Sequence, residues 1–140
     1  MVSRSCAVIL GIAALLAPKA ATPGQSPGAV PEPRYDPNTT VSFFATITDI
    51  REVPKTRPLN GLHLVVNTEK DEAVEVYVAP IQYLRDLGVS YVRGDRLDIC
   101  GSKVKFGTAS IVLAREIRRD VDTAYFRDAR GKPYWSGGPT

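Results

Sequence analysis

The sequence predicts an all-β fold with one short helix, built as a five-stranded antiparallel barrel that is followed by a C-terminal β-hairpin. Three observations support this prediction. From Thr39 onward, apolar and polar residues alternate in five short runs, which is the period of strands. The period changes once, after Pro80, where apolar residues fall at a spacing of three. A turn-forming stretch at 128–131 lies near the C terminus.

The first three strands follow from composition and alternation. Residues 40–53 (TVSFFATITDIREV) are rich in β-branched and aromatic residues, and both faces of this strand are partly apolar. We therefore expect a long, bent strand that contributes to two layers. The prolines of 54–61 (PKTRPLNG) prevent continuous pairing and predict a loop. Alternation in 62–67 and 74–78 predicts an antiparallel hairpin around the charged turn 69–72.

A helix of about two turns is predicted directly after the third strand. Pro80 suits the first turn of a helix, because its missing N–H has no partner there. Ile81, Leu84 and Leu87 fall at a spacing of three, and Gly88 is a natural stop. The helix is therefore expected to separate the third strand from the fourth.

The last two strands of the barrel are predicted at 96–100 and 111–117, with a turn around Gly107 between them. The order is strand, strand, strand, helix, strand, strand. This order is typical of the oligonucleotide- and oligosaccharide-binding architecture, the OB-fold. The main alternative is an open antiparallel sandwich.

The C-terminal hairpin is predicted around Asp128-Ala129-Arg130-Gly131, which suits a type I turn. The turn would fold 123–127 against 132–136. An isolated hairpin is marginally stable in water, so we expect it to dock on the barrel through the aromatic residues Phe126, Tyr134 or Trp135. Two interpretations stay open: these aromatic residues cover the barrel, or they form an exposed recognition surface.

Two sequence motifs resemble those of a known group of proteins. They are GDRLDICG at 94–101 and RDARGKPYW at 127–135. With them the chain resembles small exported bacterial OB-fold proteins of unassigned function, which have a signal peptide, a GDxVxVxG-like fourth strand and a closing RDxxGxPxW segment. The resemblance covers roughly residues 39–136. It implies an exported domain without known catalysis.

The N terminus predicts export. Arg4 precedes an apolar run at 6–17 that is too short to span a bilayer, and small or polar residues follow. Residues 1–21 are therefore expected to be a signal peptide, with a periplasmic or secreted mature chain and no membrane span after cleavage.

The remaining chain divides by composition. Residues 22–38 contain five prolines and are predicted to be a disordered linker. The barrel is expected at 39–119, and the hairpin and tail at 120–140. This division leaves one folded unit of ordinary size.

Charge and cysteine content restrict the function classes. Loss of Arg4 and Lys19 with the signal peptide leaves 16 basic against 15 acidic residues, so a polyanion gains little general attraction. Cys100 would be the one cysteine of the mature chain, which excludes an internal disulfide. The core must therefore hold the fold.

The sequence contains few residues that could form a catalytic site or a metal site. His63 is the single histidine, which excludes paired-histidine metal sites, and we expect it on the outer face of a strand. The carboxylate pairs at 95/98 and 120/122 lack the pattern of a calcium loop. The sequence therefore predicts no enzyme, no metal site and no cofactor.

We expect a non-catalytic exported binding module for a protein partner or a small ligand in the cell envelope. The alternative is binding of a single-stranded nucleic acid or an oligosaccharide on the barrel face, where Tyr77 could stack on a base. Nucleic acid is the less favoured partner because of the near-neutral charge and the predicted export. The candidate binding residues are Arg51, Arg57, His63 and Tyr77 on the barrel and Arg127, Tyr134 and Trp135 on the hairpin.

Overall fold

The structure is a computed structural model that describes residues 31–136. The predicted signal peptide and the first part of the predicted linker lie outside the described residues. After a 3-10 turn at Pro37–Thr39, the elements are β1 (Thr40–Val53), β2 (Gly61–Thr68), β3 (Ala73–Ala79), α1 (Ile81–Leu87), β4 (Arg96–Phe106), β5 (Ala109–Arg119) and β6 (Asp122–Tyr125). The predicted order of five strands and one helix is confirmed. Within residues 31–136, no helix is long and apolar enough to cross a membrane.

The five strands β1 to β5 form a closed barrel. Neighbouring strands pair in the order β3-β2-β1-β4-β5, and β3 then pairs with β5 to close the ring. This closing pair is parallel and joins Val76 to Val112 and Tyr77 to Leu113. The predicted five-stranded barrel is confirmed, and its pairs are antiparallel except at this closing position. A ring with an odd number of strands cannot alternate direction throughout, so one neighbouring pair must be parallel.

β1 is the long, bent strand that the sequence predicts. Its first half, Thr40–Thr46, pairs with β4, and its second half, Ala45–Val53, pairs with β2. The register shifts between Ile47 and Asp49. The shift lets Ile50, which would otherwise point away, pack against the core together with Ile47. One strand thus serves two parts of the barrel wall.

The barrel interior is filled by side chains from all five strands and from the helix. Leu84 of α1 is buried in this core, and Gly88 ends the helix in the left-handed conformation, as the sequence predicts. Phe126, beyond β6, is also buried there. Buried strand residues of this core include Ile47, Leu64, Val66, Val76, Val78, Leu97, Ile99, Val112 and Ile117.

A second buried cluster lies on the outside of the barrel wall, and we call it the outer cluster. Tyr77 and Leu113 belong to it because they alternate with Val76 and Val112, which face the interior. Its buried members are Leu59, Tyr77, Ile111 and Leu113, and Tyr35, Val104, Phe106 and Trp135 pack against them. Segments from outside the barrel therefore cover this part of the outer face.

The first arm of the predicted C-terminal hairpin forms a strand, β6, but this strand pairs with β5 and not with the predicted second arm. β6 pairs with β5, outside the ring, from Arg119↔Asp122 to Glu116↔Tyr125. The expected pairing of 123–127 with 132–136 is reduced to one bridge, Arg127↔Pro133. The open edge of β5 offers a longer ladder than an arm that contains a proline.

The predicted turn at Asp128 is confirmed. The Gly131 N–H donates to the Asp128 carbonyl oxygen at 2.9 Å. Oδ1 of Asp128 accepts hydrogen bonds from the N–H groups of Lys132 and Arg130, each at 2.9 Å. These backbone donors hold the pKa of the Asp128 carboxyl below its ordinary value. The turn is therefore fixed by the aspartate, as its sequence indicates.

The N-terminal segment packs on the barrel before β1 begins. The Asp36 N–H donates to the Ser102 Oγ at 3.0 Å, and that hydroxyl donates back to the Asp36 carbonyl oxygen at 2.9 Å. The Tyr35 ring occupies the space that a side chain at position 131 would need, so Gly131 is required there. Packing thus starts within the predicted linker, ahead of the expected boundary at Thr39.

We predict that Gly101→Ala destabilises the barrel. A methyl group on Gly101 of β4 would overlap the backbone carbonyl of Leu113 on β5, which cannot move without breaking the ladder. We expect a loss of about 2 kcal/mol in the free energy of unfolding, measured by urea denaturation. The control is Ser110→Ala, an exposed position on β5, where the change should stay within about 0.5 kcal/mol. Equal stability of the two variants would contradict the close approach of β4 and β5.

Candidate functional site

The two arginines that the sequence singles out near the first loop are exposed. Arg51 lies on β1, and its Nε is 3.4 Å from the Asp49 carboxylate. Asp49 also accepts from Arg93 at 2.9 Å, and these partners lower the pKa of its carboxyl. Arg57 lies in the loop between β1 and β2 and is exposed. Arg51 lies opposite His63 in the β1–β2 ladder. The two arginines nevertheless differ from His63 and Tyr77 in exposure, because the latter two are buried.

His63 is buried, with 2 % of its surface exposed. Its Nε2 lies 2.7 Å from the Leu59 carbonyl oxygen, and its Nδ1 lies 2.7 Å from Oε2 of Glu75. Its side chain leaves the barrel on the outer face of β2, as the sequence predicts, but it is covered there. The reason is that the loop before β2 folds back and lays Leu59 over this face.

Both nitrogens of His63 are used by this arrangement. A carbonyl oxygen can only accept a hydrogen bond, so Nε2 carries a proton and donates it to Leu59. The second contact then needs a proton as well, either on Nδ1 or on the Glu75 carboxyl. His63 therefore has no free lone pair with which to bind a metal or accept a proton from a substrate.

Tyr77 is also buried, with 3 % of its surface exposed, so it cannot stack on a base. It lies opposite His63 in the β2–β3 ladder, and its hydroxyl donates to the Asn60 carbonyl oxygen at 2.8 Å. The Trp135 ring meets it edge-on, with a centroid distance of 6.2 Å. Burial raises the pKa of the Tyr77 hydroxyl well above its ordinary value. The expected platform for a ligand is thus part of the fold.

Arg127 is held between two aromatic rings. Its guanidinium carbon lies 5.3 Å from the Trp135 ring centroid and 5.8 Å from that of Tyr35, at cation–π distances. Nη1 donates to the Gly131 carbonyl oxygen at 3.0 Å, and only 6 % of the residue is exposed. Burial lowers the pKa of Arg127, and the nearby Tyr77 opposes this effect. We call Tyr35, Arg127 and Trp135 the terminal cover.

Of the two interpretations of the aromatic C terminus, the geometry supports the covering role. Trp135 packs against both buried clusters, whereas the neighbouring Tyr134 is exposed. The terminal cover therefore joins both ends of the described chain across the outer cluster. Of the candidates on the hairpin, Tyr134 is exposed, Trp135 is partly buried and Arg127 is buried.

We predict that Trp135→Ala lowers the free energy of unfolding by about 3 kcal/mol, because a large aromatic side chain is lost from two packed clusters. The control is Tyr134→Ala, next in the chain but exposed, which should cost less than about 1 kcal/mol. Thermal and urea unfolding would measure both variants, with circular dichroism as the signal. Tryptophan fluorescence does not serve here, because Trp135→Ala removes the single tryptophan. A harmless Trp135→Ala would mean that the cover does not stabilise the fold.

The site that sequence reasoning missed is a groove around Phe44. Two cavities of about 660 and 430 Å³ meet at this side chain, of which 54 % is exposed. Phe44, Thr68, Glu69 and Asp98 line both cavities, and we call the joined surface the Phe44 groove. The sequence signal for this groove is the partly apolar outer face of the first strand, which includes Phe44.

The smaller cavity of the groove has an apolar floor. Val41, Phe43, Val74 and Val112 line it, and these side chains belong to the barrel core or pack against it. The cavity is therefore an opening into the barrel wall. Openings of this kind, in the mouths of β-barrels, are common positions for ligands.

The rim of the groove carries both signs of charge in equal number. Arg118 pairs with Asp98 at 2.9 Å within it. The acidic lining residues are Glu69, Glu72, Asp98 and Asp120, and the basic ones are Lys70, Arg96, Lys103 and Arg118. Four charges of each sign give no net field that would attract a polyanion or a polycation.

Metal ligands do not gather in the part of the chain that the structure describes. Residues 31–136 contain no group of three or more His, Cys, Asp or Glu side chains that could hold an ion. Cys100 is half-buried on β4, and Nη2 of Arg115 lies 3.2 Å from its Sγ.

A comparison with protein families identifies the chain. A family model described as the MamS/MamX magnetosome protein family matches residues 39–124. This match covers more than half of the chain, and the chain belongs to that family. Comparisons with curated proteins and with solved structures found no significant match. The matched region contains the barrel and ends before the RDARGKPYW segment, so that segment does not contribute to the family match.

Proposed function

We propose that this member of the MamS/MamX magnetosome protein family is a non-catalytic binding module that holds a segment of a protein partner in the Phe44 groove. The observation that carries the proposal is the position of Phe44, a large aromatic side chain that is 54 % exposed between two joined cavities. Aromatic side chains that become buried in a pocket contribute much of the energy of protein interfaces. On this surface, Phe44 and the apolar floor would be the anchor.

Two features favour a protein over a nucleic acid. The balanced charges of the groove give a polyanion no electrostatic advantage. In addition, we assign the barrel to the OB architecture from its element order, and proteins of that architecture bind single strands on the face of strands 2 and 3. Here Trp135 and the loop residue Leu59 pack over the corresponding face at Tyr77. The alternative of nucleic acid or oligosaccharide binding on the barrel face is therefore the weaker proposal.

The non-catalytic part of the proposal is supported by His63. This side chain is buried, and both of its nitrogens make hydrogen bonds within the fold. A protein segment is also a better fit than a small ligand, because small-ligand sites bury most of their ligand. Phe44 instead stands in the open between its two cavities.

The proposed setting combines the export prediction with the family. The N-terminal 1–21 segment has the composition of a signal peptide, and the proline-rich residues after it would give the barrel reach. The family takes its name from the magnetosome, and we propose that this chain acts there, on the exported side of a membrane. A partner in the same compartment would meet the Phe44 groove.

We predict that a photoreactive aromatic residue at position 44 captures one discrete protein in the native host. The matched control is the same residue at position 125, because Tyr125 is 55 % exposed and lies outside the ring on β6. The adduct from position 44 should be lost when Lys103→Glu reverses one charge of the groove rim. Thermal unfolding would verify that every variant is folded.

Two results of this experiment would count against the proposal. Identical adducts from positions 44 and 125 would show that capture reflects exposure and not a site. A nucleic-acid adduct at position 44, without a protein adduct, would favour the alternative function.

A further inference from the structure

We infer that the partner is held by strand addition: an extended segment of the partner pairs with the open edge of β1 at Val41–Phe44. This inference rests on the proposed function and adds how the Phe44 groove recognises its partner. In strand addition, main-chain hydrogen bonds provide affinity, and pockets for alternate side chains provide specificity.

The first observation is the pairing of β1. Val41–Phe44 pairs with β4 on one side, from Val41↔Gly101 to Phe44↔Asp98. β2 joins the other side of β1 only from Ala45 onward. Among residues 31–136, no strand pairs with this second edge of Val41–Phe44. Alternate residues therefore present backbone N–H and C=O groups that a further strand could satisfy.

The second observation is which residues line the smaller cavity. Side chains of a strand point alternately to opposite faces, so a cavity against one face touches every second residue. Here Val41, Ser42, Phe43 and Phe44 all line the cavity. Four consecutive lining residues mean that the cavity runs along the edge of β1, beside the backbone.

The edge is open because β2 ends at Thr68, opposite Ala45 of β1, and enters the β2–β3 turn there. The Thr68 N–H donates to the Glu72 carbonyl oxygen at 2.9 Å, which closes the β2–β3 turn. Asp71 adopts the left-handed conformation within this turn, with φ 62°. β2 therefore cannot continue along Val41–Phe44, and the turn forms the far wall of the groove.

The two walls define the chemistry of the segment. Its side chains on one face would contact the apolar floor at Phe43, Val74 and Val112, and those on the other face would lie beside Phe44. Apolar residues at every second position fit this arrangement. The rim residues Lys70 and Lys103 lie among Glu69 and Glu72, so flanking residues of both signs fit better than a run of one sign.

The test uses the ¹⁵N-labelled full chain and a synthetic ten-residue peptide in which valine alternates with lysine and glutamate. We expect chemical-shift changes at Val41–Phe44 and at Val74 on addition of the peptide. Two further peptides carry N-methyl groups on alternate residues. In one peptide the methyl groups lie along one edge of the extended strand, and in the other they lie along the opposite edge. Methylation of the pairing edge removes donors and adds clashes, so one methylated peptide should bind at least about tenfold more weakly, and the other should bind unchanged.

Each other outcome overturns the inference. Equal binding by both methylated peptides would mean that side chains alone dock, which leaves the proposed function intact and removes strand addition. Shift changes confined to the β6 edge at Asp122–Tyr125 would assign the peptide to another site. Absence of shift changes at millimolar peptide would exclude an accessible edge, and a dimer of the peptide-free chain through this edge would mean that a second copy occupies it.

Discussion

The parallel pairing of β3 with β5 is the constraint on which the rest of the structure depends. Two residue pairs close the barrel, and they fix which side chains face the interior and which face outward. Val76 and Val112 fill the core, so their neighbours Tyr77 and Leu113 must leave the barrel on its outer face. An apolar pair on the outside of a closed ring needs a cover, because exposed apolar area is unfavourable in water.

The chain supplies that cover from segments remote from the closing pair. Tyr35 arrives from the N-terminal side and Trp135 from the C-terminal side, and Arg127 lies between their rings. One part of the barrel surface is thereby used for internal packing. The Phe44 groove has no such cover within the described residues, and its apolar floor reaches the core. This contrast between a covered face and an open groove supports the proposed position of the partner.

Local features of the fold could be predicted from the sequence, whereas contacts between remote segments could not. Alternation gave the five strands, the spacing after Pro80 gave α1, and Asp128 with Gly131 gave the turn. The same alternation put His63 and Tyr77 on the outer face, but no local pattern reveals that other segments bury them. The Phe44 groove depends on where β2 ends relative to β1, which is a matter of strand register.

Hydroxyl-radical footprinting of the isolated chain, read out by mass spectrometry, tests the central claim most directly. The claim is that the face around Tyr77 is covered and that Phe44 is open, with exposed fractions of 3 % and 54 %. Both are reactive aromatic side chains, so solvent access decides their relative rates. We expect rapid oxidation of Phe44 and protection of Tyr77 until the chain unfolds. Oxidation of Tyr77 at a rate equal to that of Phe44 in the folded chain would contradict the claim.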